Sequence, residues 1–252
     1  MEPRDDLGTP VPVTGPTRRV VSLVPSLTEA VAATRPEALV GATDWCTRPA
    51  GLDVTRVRGT KNPDVKRIAD LRPGLVIANQ EENRELDVRR LREAGVPVWV
   101  TVIQTVPQAI GSMTRLFEEG LGWGTPAWLE EAAAAWDGPL PAVHTRVAVP
   151  IWRDPWMVVG RDTFTGDLLR RLGYANVFAE HPDRYPKVEL AEVDREDVDL
   201  ALLPDEPYVF TADDGPEAFT RAPTALVNGR LLTWYGPSLL EARSFSPNRH
   251  RR

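Results

Sequence analysis

The stretch Arg19-Val20-Val21-Ser22-Leu23-Val24-Pro25-Ser26-Leu27-Thr28-Glu29 decides the fold. Five residues from Val20 to Val24, four of them aliphatic, are of strand length, and an alanine-rich segment over residues 27 to 33 follows the Pro-Ser step. The pattern predicts a buried strand, a tight turn and a helix, with Ser26 as N-cap. A strand that turns at once into a helix is the opening of an α/β unit, and the rest of the chain either repeats that unit or does not.

It repeats. A short strand around Leu39-Val40-Gly41 is followed by a polar loop holding Thr43-Asp44-Trp45-Cys46. A helix is expected to open at Asn62-Pro63, asparagine at the N-cap and proline at the first helical position, with Val65, Ile68 and Ala69 on one face and Leu71 at its end. Leu75-Val76-Ile77-Ala78 reads as a buried strand, residues 83 to 94 as a helix with Val88, Leu91 and Ala94 on one side, and residues 96 to 102 as a further strand. Strands alternating with helices imply a parallel sheet covered on both faces.

Two helical segments separate the halves. Ile110, Met113 and Phe117 recur at helical spacing, and Thr125-Pro126 opens a second helix with Trp128, Ala132 and Trp136 in line. A second α/β series then runs through a strand at 146 to 151, a helix at 164 to 172, a strand at Val177-Phe178, a helix at 189 to 193, and strands at 200 to 203 and 225 to 227. The expected organisation is a disordered proline-rich tail over residues 1 to 18, an N-terminal α/β lobe over 19 to 122 and an interlobe helix over 123 to 142. A C-terminal α/β lobe over 143 to 245 and a basic tail over 246 to 252 complete it. Open α/β sheets take ligands at the carboxyl ends of their strands, which places the expected site in a cleft between the lobes.

Composition narrows the function. In 252 residues, 36 acidic side chains against 30 basic ones give a net charge of -6, with no electrostatic pull toward nucleic acid or an anionic membrane. One cysteine and three histidines provide no framework for a disulfide or a structural metal site. The first residues lack a basic start followed by an apolar run, and no run approaches the roughly 18 apolar residues of a membrane span. A cytoplasmic protein is therefore expected, and the basic end around His250 is read as a solvated tail.

Enzyme signatures are thin. Gly120-Leu121-Gly122-Trp123-Gly124 follows no strand and reads as a turn between helices, and neither a phosphate-binding loop nor a nucleophile elbow occurs. His144, His181 and Cys46 lack the partners that metal binding or thiol activation needs. The unusual feature is eight tryptophans. Trp99, Trp128 and Trp136 suit a core, whereas Trp45, Trp152, Trp156, Tyr185, Trp234 and Tyr235 fall in loops or at strand ends. Flat amphipathic rings in such positions suit a large apolar or conjugated ligand.

These residues resemble the periplasmic binding proteins of the cobalamin, haem and siderophore type, and among them the cobalamin-binding proteins. The resemblance is carried by residues 19 to 29, by Val40-Gly41-Ala42-Thr43-Asp44-Trp45-Cys46-Thr47-Arg48-Pro49, by residues 62 to 68, and by Leu71-Arg72-Pro73-Gly74-Leu75-Val76-Ile77. Gly173-Tyr174-Ala175-Asn176-Val177-Phe178 and Tyr185-Pro186-Lys187-Val188 continue it, so that it spans about residues 19 to 242. It implies two α/β lobes with parallel sheets rigidly joined by a long helix, and a non-catalytic grip on a corrinoid, with haem or a ferric siderophore as lesser alternatives. It further implies that Pro25, Trp45, Asn79, Ile151, Tyr185 and Trp234 face the ligand; Ser26, Trp152, Trp156 and Tyr235 are further candidate ligand-binding residues.

The same resemblance implies docking to an ABC permease through a glutamate on each lobe. Those places hold Lys66 and Ala191, which puts permease docking in question, although Glu189 and Glu192 stand close by. Three alternatives stay open. The chain is the binding component of an importer, an enzyme on the same ligand class using Asp44, Cys46 or His181, or a scaffold that has lost its ligand, since Asn79 and Ile151 are not aromatic.

Overall fold

The computed structural model describes residues 2 to 247 and divides them into two compact units. The first gathers Met1–Ile103, Pro107–Ala134 and Tyr235–Pro237; the second gathers Gln104–Val106, Ala135–Trp234 and Ser238–Arg252. Neither unit is one uninterrupted run of chain.

In the first unit the strands are β1 (Val20–Ser22), β2 (Leu39–Ala42), β3 (Thr55–Arg56), β4 (Arg58–Gly59), β5 (Asn62–Pro63), β6 (Leu75–Asn79) and β7 (Val98–Thr101), with helices α1 (Pro25–Thr34), α2 (Val65–Asp70) and α3 (Glu85–Glu93). Five strands make an all-parallel sheet in the order β3-β2-β1-β6-β7, and β4 with β5 forms a small antiparallel ladder beside it. Both faces of the central strands are covered, so β6 is buried along its whole length and reads as an unbroken apolar run. Val21, Leu23, Ile68, Val76, Val88 and Leu91 belong to one core cluster against that sheet.

Helices α4 (Val106–Arg115) and α5 (Ala127–Trp136) follow, with one π-helical turn over Leu116–Gly120 between them. Gly120 lies directly under the indole of Trp99, where a Cβ would stand 2.8 Å from the ring. The glycine-rich stretch after it is a turn between helices. Trp99 is fully buried and Trp136 nearly so, whereas Trp128 is half-buried with its indole N–H on the Thr34 hydroxyl.

The second unit holds β8 (Thr145–Ala148), β9 (Pro150–Trp152), β10 (Met157–Val158), β11 (Tyr174–Asn176), β12 (Leu200–Pro204) and β13 (Thr224–Val227). Its helices are α6 (Phe164–Arg171), α7 (Leu190–Val193), α8 (Gly229–Thr233) and α9 (Ser238–Ala242). The parallel sheet runs β11-β8-β12-β13, and β9 and β10 form a hairpin where β8 ends.

Four expectations need correction. Ser26 is not the cap of α1: Val24 holds that position and Pro25 is the first helical residue, its missing N–H being one that a helix start leaves unpaired anyway. Asn62 and Pro63 are paired in β5, and α2 begins two residues later, capped by Asp64, whose carboxylate accepts from the Arg67 amide at 3.0 Å. The strand expected at Val177-Phe178 ends instead at Asn176, whose side-chain carbonyl accepts from the Phe178 amide at 3.2 Å in place of a ladder partner.

The fourth concerns the tail expected to be disordered. Residues from 2 onward pack on the first unit, with Asp5 and Asp6 against β7, the edge strand of the sheet. The Asp6 amide donates to the Val100 carbonyl at 3.1 Å, while the two carboxylates accept from the Val100 and Val102 amides at 3.3 and 2.9 Å. Asp5 also pairs with Arg92 at 2.7 Å, and Asp6 with Arg115 at 2.8 Å. An open sheet edge exposes unpaired backbone groups, and these side chains satisfy them. The basic end from 249 to 252, His250 included, lies outside the described residues.

Candidate ligand site

In the first sheet the chain runs from β1 outward to β2 on one side and to β6 on the other, so the topological switch point lies between β1 and β6. Ligands of open α/β sheets bind outside the carboxyl ends of the strands at such a point. The loops that leave those ends carry Pro25 and Ser26 after β1, Trp45 after β2, and residues 80 to 82 after β6.

Their exposure separates contact residues from supports. Trp45 is 67% exposed beside the β4 glycine Gly59, and the loop is anchored by the Asp44 amide donating to the Arg58 carbonyl at 2.9 Å. Asn79 is buried and fully engaged. Its amide nitrogen donates to the Thr101 hydroxyl at 3.1 Å, and its carbonyl oxygen accepts from the amides of Glu81 at 2.8 Å and Glu82 at 3.3 Å. It holds the turn after β6 rather than presenting a side chain.

The switch point itself receives the segment Tyr235–Pro237. Gly236 lies on the Ser26 carbonyl so closely that a Cβ would stand 3.0 Å from the oxygen, a close approach of backbone that glycine permits. The buried phenol of Tyr235 donates to Glu82 at 3.3 Å. Burial pushes that phenol well above its ordinary pKa, the neighbouring Glu82 carboxylate adds to the rise, and the Ser26 hydroxyl opposes it. Ser26 and Tyr235 are thus buried at the switch point, whereas the Trp45 ring on the neighbouring loop is open.

Cys46, next to Trp45, is buried, with the hydroxyls of Thr28 and Thr43 at 3.0 and 3.1 Å from its sulfur. Burial raises the thiol pKa against those hydrogen bonds, which disfavours a thiolate. The thiol is packed, not poised.

The second sheet has its switch point between β8 and β12. From β8 the chain enters the hairpin that carries Ile151, half-buried, and Trp152, 44% exposed. Trp156 on the same hairpin turns inward: it stacks on Phe210 with ring planes 8° apart and meets Phe219 edge-on, within a core cluster. It is a core residue, and its expected place in the site is not kept. Trp234 is likewise buried, at the end of α8. Tyr185 stays 37% exposed under the Arg184 guanidinium, on a loop tied to β10 through the Val158 amide and the Pro186 carbonyl.

The sequence reading missed Tyr208, in the loop after β12. Its ring meets Trp152 edge-on at 5.6 Å and its hydroxyl donates to Asp214 at 2.6 Å. Asp214 in turn pairs with Arg153, which also holds Glu217. An aromatic residue between a buried strand and the acidic pair Asp213-Asp214 was the available signal.

Among the described residues, a depression of about 390 Å³ lined by Pro12, Arg18, Arg19 and Arg72 lies at the amino-terminal ends of β1 and β6. That is the opposite end of the sheet from the switch point. No described helix is long and apolar enough to cross a membrane.

No family model matches the chain. The vitamin B12-binding protein of Pectobacterium carotovorum is 23% identical over 238 residues, which cover 89% of this chain and 85% of that protein. The solved periplasmic vitamin B12-binding protein of Vibrio cholerae superposes with a TM-score of 0.71 at 18% identity, over 91% of this chain and 95% of that one. A periplasmic haem-binding protein of Pseudomonas aeruginosa reaches the same TM-score at 22% identity, over 92% and 95%. The chain has the α/β fold of these binding proteins, and its resemblance to the cobalamin, haem and siderophore type holds.

One expectation falls with these findings. Both solved neighbours are periplasmic by name, which contradicts the cytoplasmic assignment. The composition of the first residues, on which that assignment rested, is silent about where the folded chain works.

Proposed function

We propose that this protein is an extracytoplasmic, non-catalytic carrier that binds a corrinoid, or a closely related planar macrocycle or metal chelate, through exposed aromatic rings on loops at the carboxyl end of a parallel sheet. The observation that carries the reading is Trp45. A tryptophan two-thirds exposed, on a loop leaving a sheet at its ligand-binding end, supplies a large flat contact that no core requirement explains. Trp152 and Tyr185 offer the same kind of ring at the other sheet. The curated relative named for vitamin B12 supports a corrinoid as the occupant. The packed state of Cys46 speaks against thiol chemistry, in keeping with a carrier.

Titration with cyanocobalamin and with haem tests the reading. Saturable quenching of tryptophan fluorescence is expected, with Trp45→Ala weakening binding by about 1–3 kcal/mol at unchanged melting temperature. Absence of binding to either ligand refutes the carrier reading.

Supply of the ligand to an ABC importer is the second reading, favoured by the relatives' periplasmic setting. Lys66 on α2 and Ala191 on α7 are both exposed where the resemblance implies acidic anchors. Glu189 and Glu192 bond each other's backbone amides in a capping box at the start of α7, which occupies both carboxylates. The acidic anchors that the resemblance implies are therefore replaced at these two positions, and Glu189 and Glu192 are the carboxylates nearest in the chain to Ala191.

A further inference from the structure

We propose that Tyr208 is a ligand-contacting residue and that Asp214 is a positioning residue, the two fixing Trp152 as a rigid aromatic edge for the planar macrocycle at the carboxyl end of the second unit's sheet. The inference rests on the carrier reading and adds to it a contact that neither the sequence pattern nor the relatives assign.

Three observations support it. The loops leaving β8 and β12, which flank the switch point of this sheet, bring Trp152 and Tyr208 together edge-on with ring centroids 5.6 Å apart. Tyr208 is backed by Phe210 at 4.7 Å, and Phe210 by Trp156 at 6.0 Å, so a continuous series of rings runs from the core cluster out to the exposed indole. Edge-on contact with a ring that is itself backed by the core favours one orientation of Trp152, although 44% of it is exposed.

The polar side is equally tied. The Tyr208 hydroxyl donates to Asp214 at 2.6 Å, and Asp214 is held by Arg153, whose guanidinium lies 5.7 Å above the Trp156 ring. The hydrogen bond from Tyr208 and the charge of Arg153 keep the Asp214 carboxyl below its usual range, so it remains an acceptor at neutral pH. Arg153 comes from the hairpin that carries Trp152, so the network joins both loops. A preorganised ring loses less freedom when a ligand settles on it than a free one does. Val209, 63% exposed beside Tyr208, extends the apolar edge.

The test uses the full chain and cyanocobalamin as probe. Tyr208→Ala is expected to weaken binding about tenfold, and Tyr208→Phe and Asp214→Ala about threefold each. Because the last two remove the same hydrogen bond, the double variant should bind no worse than the weaker single one. A readout free of ligand is the fluorine spectrum of protein containing 5-fluorotryptophan, with the Trp152 signal assigned by its loss in Trp152→Phe. That signal should shift and broaden in Tyr208→Phe and Asp214→Ala, while the Trp45 signal stays in place. Wild-type binding that all the Tyr208 and Asp214 variants share unchanged overturns the inference and leaves the carrier reading standing. An unmoved Trp152 signal overturns the positioning role. Wild-type protein that binds no macrocycle removes the carrier reading and this inference with it.

Discussion

The phenol of Tyr235 donates a hydrogen bond to Glu82, a residue 153 positions earlier in the chain. The phenol is buried, its pKa is pushed well above the ordinary value, and its neutral form is the one that the fold requires. In the unfolded chain a tyrosine ionises near about pH 10. Above that pH the unfolded state releases a proton that the folded state keeps, so stability falls as pH rises. Urea denaturation should show a loss of stability beginning near about pH 10, reduced in Tyr235→Phe. At neutral pH the same substitution should cost about 0.5–1.5 kcal/mol. An identical pH slope in wild type and variant would place the titration elsewhere.

Asp5 gives a second prediction. Its side chain is fully buried and accepts from Leu7, Thr9 and Val100 amides as well as from Arg92. Removing the carboxylate strands several donors at once, and Asp5→Ala should destabilise the protein by about 2–4 kcal/mol. Thermal melting checks the magnitude. A loss below about 0.5 kcal/mol would mean that the Asp5 carboxylate contributes little to the stability of the first unit.

A third prediction separates the ligand classes by charge. The loops over residues 149 to 159 and 205 to 219 contain six carboxylates and a single arginine, Arg153, which is already paired with Asp214 and Glu217. Such a surface repels a porphyrin that carries ionised propionates and tolerates a corrinoid whose side chains are amides. Haem should bind at least about tenfold more weakly than cyanocobalamin at low salt, and added salt should narrow the gap by screening. Equal affinities at low ionic strength would contradict this.

Lys66 provides the fourth. A positive side chain opposes a basic docking partner, and reversing its sign turns repulsion into attraction. Against a purified cobalamin-class importer, Lys66→Glu should strengthen binding about three- to tenfold at low salt, with the gain lost as ionic strength rises. Unchanged binding at every salt concentration would show that α2 does not meet the importer.

How much was legible in the sequence follows from the range of the forces involved. Val20 to Ser22, Leu75 to Asn79 and Val98 to Thr101 announce themselves as strands because burial on both faces demands unbroken apolar runs. Where a distant partner decides, the local pattern misleads. Asn62-Pro63 carries a helix-start signal, yet pairing with Arg58-Gly59 holds it in a ladder and passes the cap to Asp64. Asp5 and Asp6 look like part of a solvated acidic tail until Val100 and Val102, some 95 positions later, supply the amides. Among the aromatic candidates, Trp45 and Trp156 are indistinguishable as loop tryptophans. Only the rings of Phe210 and Phe219 reveal that Trp156 belongs to the core. The contact of Tyr208 with Trp152 is the converse case: the two rings meet only through the fold, and no local pattern around either residue shows it.

The return of Tyr235–Pro237 to the first unit has a consequence for how the protein is made. During synthesis, the sheet of that unit has left the ribosome by about residue 101, but the piece that seats on Ser26 and Glu82 emerges more than a hundred residues later. Until then the end of the sheet where β1 and β6 diverge stays uncovered, with the whole of the second sheet translated in the interval. The first unit is thus the first to begin and nearly the last to be finished, and a nascent chain halted before Tyr235 carries an incomplete version of it.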